Sequence, residues 1–155
     1  MKKIVLVLIA SCFFLSACGF GGKGNARQST KPPPPLKPET DFARDAIVLL
    51  SKGDQAVDDM IDWETFKVFD TDVGSKYWYM PGEAAKESFR KSFIESFASS
   101  FKNSGQSMEV LRNWKIESKD GAKTTVTADH PNGKTLVFTV LLKDGWQKLS
   151  SVGGK

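Results

Sequence analysis

Ala85, Phe89, Phe93, Phe97 and Phe101 recur every four residues, and no other feature of the 155-residue chain limits its fold so tightly. Each step of four advances about 40° around an α-helix, so these side chains form one stripe along a helix predicted over Glu83 to Asn103. Ile94 widens the stripe, while Glu87, Lys91, Glu95 and Lys102 take the opposite side. A helix patterned this way must lay its apolar face against something else. After Gly105 the period changes from four to two, which predicts strands. The first is expected over Met108 to Ser118, with Val110, Trp114 and Ile116 on one face, and the second over Ala122 to Asp129. A third, Lys134 to Lys143, alternates Leu136, Phe138, Val140 and Leu142 with Val137 and Leu141, and a fourth covers Trp146 to Val152. Lys119-Asp120-Gly121, Pro131-Asn132-Gly133 and Asp144-Gly145 supply the intervening turns.

Upstream of the stripe, Thr40 is expected to cap a helix carrying Phe42, Ala43, Ala46, Ile47 and Leu50 at helical spacing until Gly53. A second short helix is expected over Asp54 to Ile61 and another around Trp63 to Phe69, before the aromatic cluster Tyr77-Trp78-Tyr79. Residues 40–155 thus read as one α+β domain: N-terminal helices and one long helix packed on a curved four-stranded antiparallel meander. This order resembles the cystatin-like cone of the nuclear transport factor 2-like superfamily, whose sheet wraps a long helix and often leaves a cavity between them. Within that group, Ile61-Asp62-Trp63-Glu64-Thr65-Phe66, Tyr77-Trp78, the helix from Glu87 to Phe101, and Asp144-Gly145-Trp146-Gln147-Lys148 look like the toluene-tolerance family. Those proteins are the periplasmic phospholipid carriers of the Mla lipid-asymmetry system, so the resemblance implies an apolar ligand.

The other end of the chain carries an address. Met1-Lys2-Lys3 followed by the apolar run Ile4 to Leu15 is too short to span a bilayer, which needs roughly 20 residues, and reads as the core of a signal peptide over residues 1–17. The run ends in Leu15-Ser16-Ala17-Cys18-Gly19, which resembles the lipobox of bacterial lipoproteins. The resemblance implies that the Cys18 thiol is lipidated and becomes the new N-terminus, tying the protein to a membrane of the cell envelope. In a Gram-negative cell Gly19 is not the aspartate that resembles inner-membrane retention, so the outer membrane, facing the periplasm, is favoured. Cys12 leaves with the signal, so no disulfide is expected. Residues 18–39 form a Gly- and Pro-rich tether with four consecutive prolines, Pro32 to Pro35. Gly19-Phe20-Gly21-Gly22-Lys23-Gly24 matches the dinucleotide fingerprint in letters only, since that motif needs a strand before it and a helix after it, whereas the expected signal precedes it and the proline-rich tether follows.

Charge and chemistry narrow the function. From Thr40 onward there are 16 basic and 17 acidic residues, a balance that disfavours nucleic acid as a partner. The mature chain has one histidine, His130, beside Asp129 at a predicted hairpin tip, and no G-x-S-x-G elbow. Asp58, Asp59, Asp62, Asp70 and Asp72 lack EF-hand spacing. No catalytic residue, metal or cofactor is therefore expected, although some members of the cone superfamily are isomerases or dehydratases. Binding is the stronger expectation. Lys86 and Arg90 fall inside the aromatic stripe, where an unpaired cation is costly, so their stems either snorkel past the sheet edge or Arg90 meets a phospholipid or fatty-acid anion. Phe89, Phe93, Phe97, Trp114, Phe138 and Trp146 are the expected lining of an apolar space with Arg90 at its rim. The competing expectation is an accessory lipoprotein that binds an envelope protein through its open sheet face.

Overall fold

The computed structural model describes residues 32–105 and 107–155. The signal peptide, Cys18 and the tether up to residue 31 lie outside the described residues.

Helix α1, Glu39–Lys52, starts one residue before the expected cap. Pro38, with φ −51° and ψ 134°, occupies the cap position without a side-chain hydrogen bond, and Glu39 and Asp41 place negative charge in the first turn. Thr40 is thus inside the helix. Gly53 ends it as expected, in the left-handed conformation (φ 75°) with its N–H turned back to the Leu49 and Leu50 carbonyls. The next segment is a 3-10 helix over Gln55–Met60, capped by Asp54, whose side chain accepts from the Ala56 N–H.

No helix forms over 63–69. Instead Trp63 to Thr65 turn, and Lys67–Val68 becomes strand β1, followed by β2 at Thr71–Asp72. The competing interaction is a sheet edge. Ile61 bridges Leu149 in parallel, and Lys67 and Val68 then pair with Ser151 and Val152, burying Phe66 and Val68. Helix α2, Val73–Trp78, follows, with the Asp72 carboxylate accepting from the Ser75 N–H at 3.0 Å. The striped helix is α3, Gly82–Ser104, closed by Gly105 in the left-handed region.

Strands β3 (Arg112–Asp120), β4 (Lys123–Asp129), β5 (Thr135–Lys143) and β6 (Trp146–Gly154) form the expected antiparallel meander. It is not the whole sheet: β1 pairs parallel with β6, so the sheet is mixed and six-stranded, in the order β2-β1-β6-β5-β4-β3. A short 3-10 turn, Met108–Val110, replaces the start of the first expected strand. β3 is an edge with register shifts on both sides of Lys115 and Ile116, and with Asn113 at φ 54°. Those irregularities are a common way of blunting an exposed edge; Ile116 is exposed while Trp114 packs against the core, and Val110, in the preceding 3-10 turn, is exposed as well.

The helices pack in an unexpected order. α1, not the striped helix, lies against β3, β4, β5 and β6, and α3 lies against α1 and the 3-10 helix. Side-chain size explains this. Ala43 and Ala46 are fully buried and keep the buried side of α1 slim, in one core with Val126, Phe138, Val140 and Leu149 of the sheet. The phenylalanines of α3 need more room, and they find it against Trp63, Phe66 and Tyr77.

Candidate functional site

The seven residues expected to share one ligand space fall in three places. Phe89, Phe93 and Phe97 join a run of ring contacts around Trp63: Trp63 meets Phe93 edge-on at 5.7 Å and 86°, and Phe66 meets Phe93 at 5.9 Å and 82°. Phe93 to Phe97 and Phe97 to Phe101 continue the run at 6.1 and 4.7 Å. Edge-to-face pairs of this kind add about 0.5–1.5 kcal/mol each beyond area burial. The stripe is therefore satisfied by other rings. The second place is the helix-facing side of the sheet, where Trp114 and Phe138 stack at 5.1 Å. Trp146 is elsewhere: its register opposite Lys143 puts it on the other face of the sheet, half-buried, with Lys148 Nζ 5.4 Å from its ring.

Arg90 is held by acidic partners. Its Nε donates to the Asp58 carboxylate at 3.2 Å, and Nη1 donates to Glu83 at 3.1 Å and to the Tyr77 hydroxyl at 3.3 Å, leaving the side chain 17 % exposed. Burial works against its charge, but the hydrogen bond to Glu83 and the charge of Asp58 outweigh it and raise its pKa. Asp58 also accepts from the Trp63 indole N–H at 2.8 Å, so one carboxylate locks the ring cluster to the cation. An incoming anion would therefore meet a guanidinium whose charge is already offset by two carboxylates. Lys86, the other cation of the stripe, lies over the rings of Tyr77 and Trp78 at 4.9 and 5.7 Å.

A second polar cluster borders the start of β6. Lys143 donates to Glu64 at 2.8 Å and to the buried Asp62 at 3.4 Å, and the hydrogen bond to Glu64 raises the lysine's pKa despite partial burial. Lys148 reaches the Asp59 carbonyl; burial depresses its pKa, with the nearby carboxylates acting in the opposite direction. His130 is part of a turn, its Nδ1 accepting from the Asn132 N–H at 3.2 Å. Among the described residues no group of three or more His, Cys, Asp or Glu side chains is disposed to hold a metal. Among them, too, no helix is long and apolar enough to cross a membrane.

An open cleft of about 520 Å³ runs along the outward side of α1. Val48, Leu49, Met60, Met108, Leu111 and Trp114 supply its apolar lining. Ion pairs mark its rim: Lys37 with Asp45 at 2.7 Å and Lys52 with Glu109 at 2.6 Å. Its volume falls within the range of roughly 300–1,000 Å³ usual for small-molecule sites. Of the seven expected residues only Trp114 reaches it. A signal for it was present in Ile47-Val48-Leu49-Leu50, since a helix that buries one face does not need four consecutive apolar residues. Ile47 and Leu50 are fully buried; Val48 and Leu49, half-buried, are the surplus. No family model, curated protein or solved structure matches this chain.

Proposed function

We propose that this chain is a lipid-anchored protein of the bacterial cell envelope, tied to the outer membrane in a Gram-negative host, whose α+β domain binds an acyl chain or a comparable apolar ligand. The observation that carries the binding half is the cleft over α1, where six apolar side chains line an open space beneath a charged rim. An acyl chain suits such a site because its methylenes are worth about 0.8 kcal/mol each when removed from water. The anchoring half rests on Leu15-Ser16-Ala17-Cys18 behind a charged start and an apolar run. The cystatin-like cone remains the proposed relationship for the domain, with α1 taking the place against the sheet that the resemblance implies for the long helix.

The test is native mass spectrometry, with lipid extraction, on full-length protein purified from membranes. Wild type is expected to carry a lipid or fatty acid, and the double variant Val48→Ser, Leu49→Ser to lose it while its circular dichroism and a cooperative unfolding transition show that it remains folded. Wild-type protein without ligand rejects the binding reading, and an unmodified residue 18 rejects the anchoring one.

One observation favours a second reading, an accessory lipoprotein that binds an envelope protein over the sheet face remote from the helices. Trp146 sits on that face, where the register places Lys143 opposite it and Leu141 and Lys148 beside them, with Thr125, Thr139 and Ser151 further along the strands. Trp146→Ala abolishing a specific envelope complex, with lipid content unchanged, would decide for it.

A further inference from the structure

Trp78 and Tyr79 stand out from the other aromatic residues of the domain. They are 61 % and 86 % exposed, adjacent in sequence, and placed where α2 hands over to α3. Among the described residues Phe69, at 39 %, is the one other exposed aromatic, so the much greater exposure of this adjacent pair calls for an explanation. The tip is held firmly. The Met80 N–H donates to the Tyr77 carbonyl at 3.1 Å, Tyr77 packs on Trp63 and Phe89, and Lys86 lies over both Tyr77 and Trp78.

We propose that Trp78 and Tyr79 form a membrane-interface foot, which seats in the headgroup layer of the bilayer to which the chain is anchored. The proposal rests on the anchored reading above. Amphipathic rings of Trp and Tyr settle at the boundary between headgroups and acyl chains, where one end is apolar and the other wet. Lys76 is exposed beside them, and Lys86 brings a second cation suited to anionic headgroups. The nearby acid Glu83 is engaged by Arg90, while Glu87 faces solvent on the next turn. A narrow tip ringed by charge fits a layer that is both wet and apolar better than it fits a protein partner, which meets a broad closely packed patch. Reach is sufficient: the thirteen residues between Cys18 and Pro32 can extend to about 50 Å, a leash long enough for the domain to turn this tip towards its own membrane.

The experiment uses full-length protein purified from membranes and reconstituted into phosphatidylethanolamine–phosphatidylglycerol vesicles whose acyl chains carry bromine near the headgroup. Wild-type tryptophan emission is expected to be quenched, Trp78→Ala to lose most of that quenching, and Tyr79→Trp to gain quenching. Circular dichroism of each variant should match wild type. Protein that floats with the vesicles but shows no quenching, or quenching that Trp78→Ala leaves intact, overturns the foot and leaves the anchor standing. Protein that neither floats nor is quenched overturns the foot, and the mass of residue 18 then shows whether the anchor fails with it. A Trp78 emission that shifts blue in native membranes, with no quenching in the vesicles, assigns the tip to a protein partner and also overturns the proposal.

Discussion

Gly74 illustrates how little space some residues have. A β-carbon built there would lie 2.5 Å from the Glu64 carbonyl oxygen, and the Gly74 N–H donates to the Phe66 carbonyl at 2.9 Å. The strand–turn–helix that brings Tyr77 to Trp63 depends on this close approach. Gly74→Ala is expected to cost about 1–3 kcal/mol, the range for overpacking a filled site, read as a lower urea midpoint with unchanged slope. Electrostatics at single residues gives a second expectation. Lys119 donates to the Glu39 carboxylate at 2.7 Å, and this hydrogen bond, joined by the residue's backbone, holds the Glu39 pKa below the ordinary glutamate value against a small opposing effect of burial. A depressed carboxylate contributes stability that is complete above its unfolded-state pKa and disappears as pH falls through the lowered folded-state value. Stability measured by denaturant midpoint across acid pH should therefore fall less steeply in Glu39→Gln than in wild type.

At the scale of elements, α3 is tied down by rings along one side. Ile94 and Phe97 are its buried residues, while Phe89, Phe93 and Phe101 are half-buried against the core. Phe93 touches Trp63, Phe66, Phe89 and Phe97, whereas Phe101 has only its contact with Phe97 among the ring pairs of the described residues. Phe93→Ala is expected to cost about 3 kcal/mol, at the lower end for a phenylalanine truncated in a core, and Phe101→Ala clearly less. Thermal or urea unfolding of the two variants measures the difference. If they proved equal, the cluster around Trp63 would not be what holds the helix. The Arg90–Asp58 contact works at the same scale, joining α3 to the 3-10 helix rather than presenting a free cation.

For the whole molecule, the proposed anchor at Cys18 and the folding of the domain should be separable. Among the described residues the core begins at Phe42, so on that proposal Cys18→Ser should move the protein from the membrane fraction to the soluble fraction without changing its melting temperature. Fractionation followed by calorimetry checks both halves. A melting temperature that fell with the lipid would mean that the membrane, and not the core alone, stabilises the domain.

Local periodicity was enough to reveal α1, α3 and the meander β3 to β6, because the stripe of α3 and the alternation of Leu136, Phe138 and Val140 are properties of neighbours in the chain. The mixed sheet was not legible that way. Lys67-Val68 is too short to show a period, and it is a strand only because β6, more than eighty residues later, offers an unpaired edge. The same division governs the site. Aromatic residues and an apolar surplus in Ile47 to Leu50 can be read from the chain, and so can the lipobox likeness at Cys18, since these are matters of composition and spacing. Which rings meet is a different kind of fact. That Phe93 finds Trp63, that Arg90 is claimed by Asp58 and Glu83, and that Trp146 faces away from Phe138 follow from pairings between distant segments. Spacing sets which side of its own helix or strand a residue occupies; only the packing of one element on another determines what lies across from it.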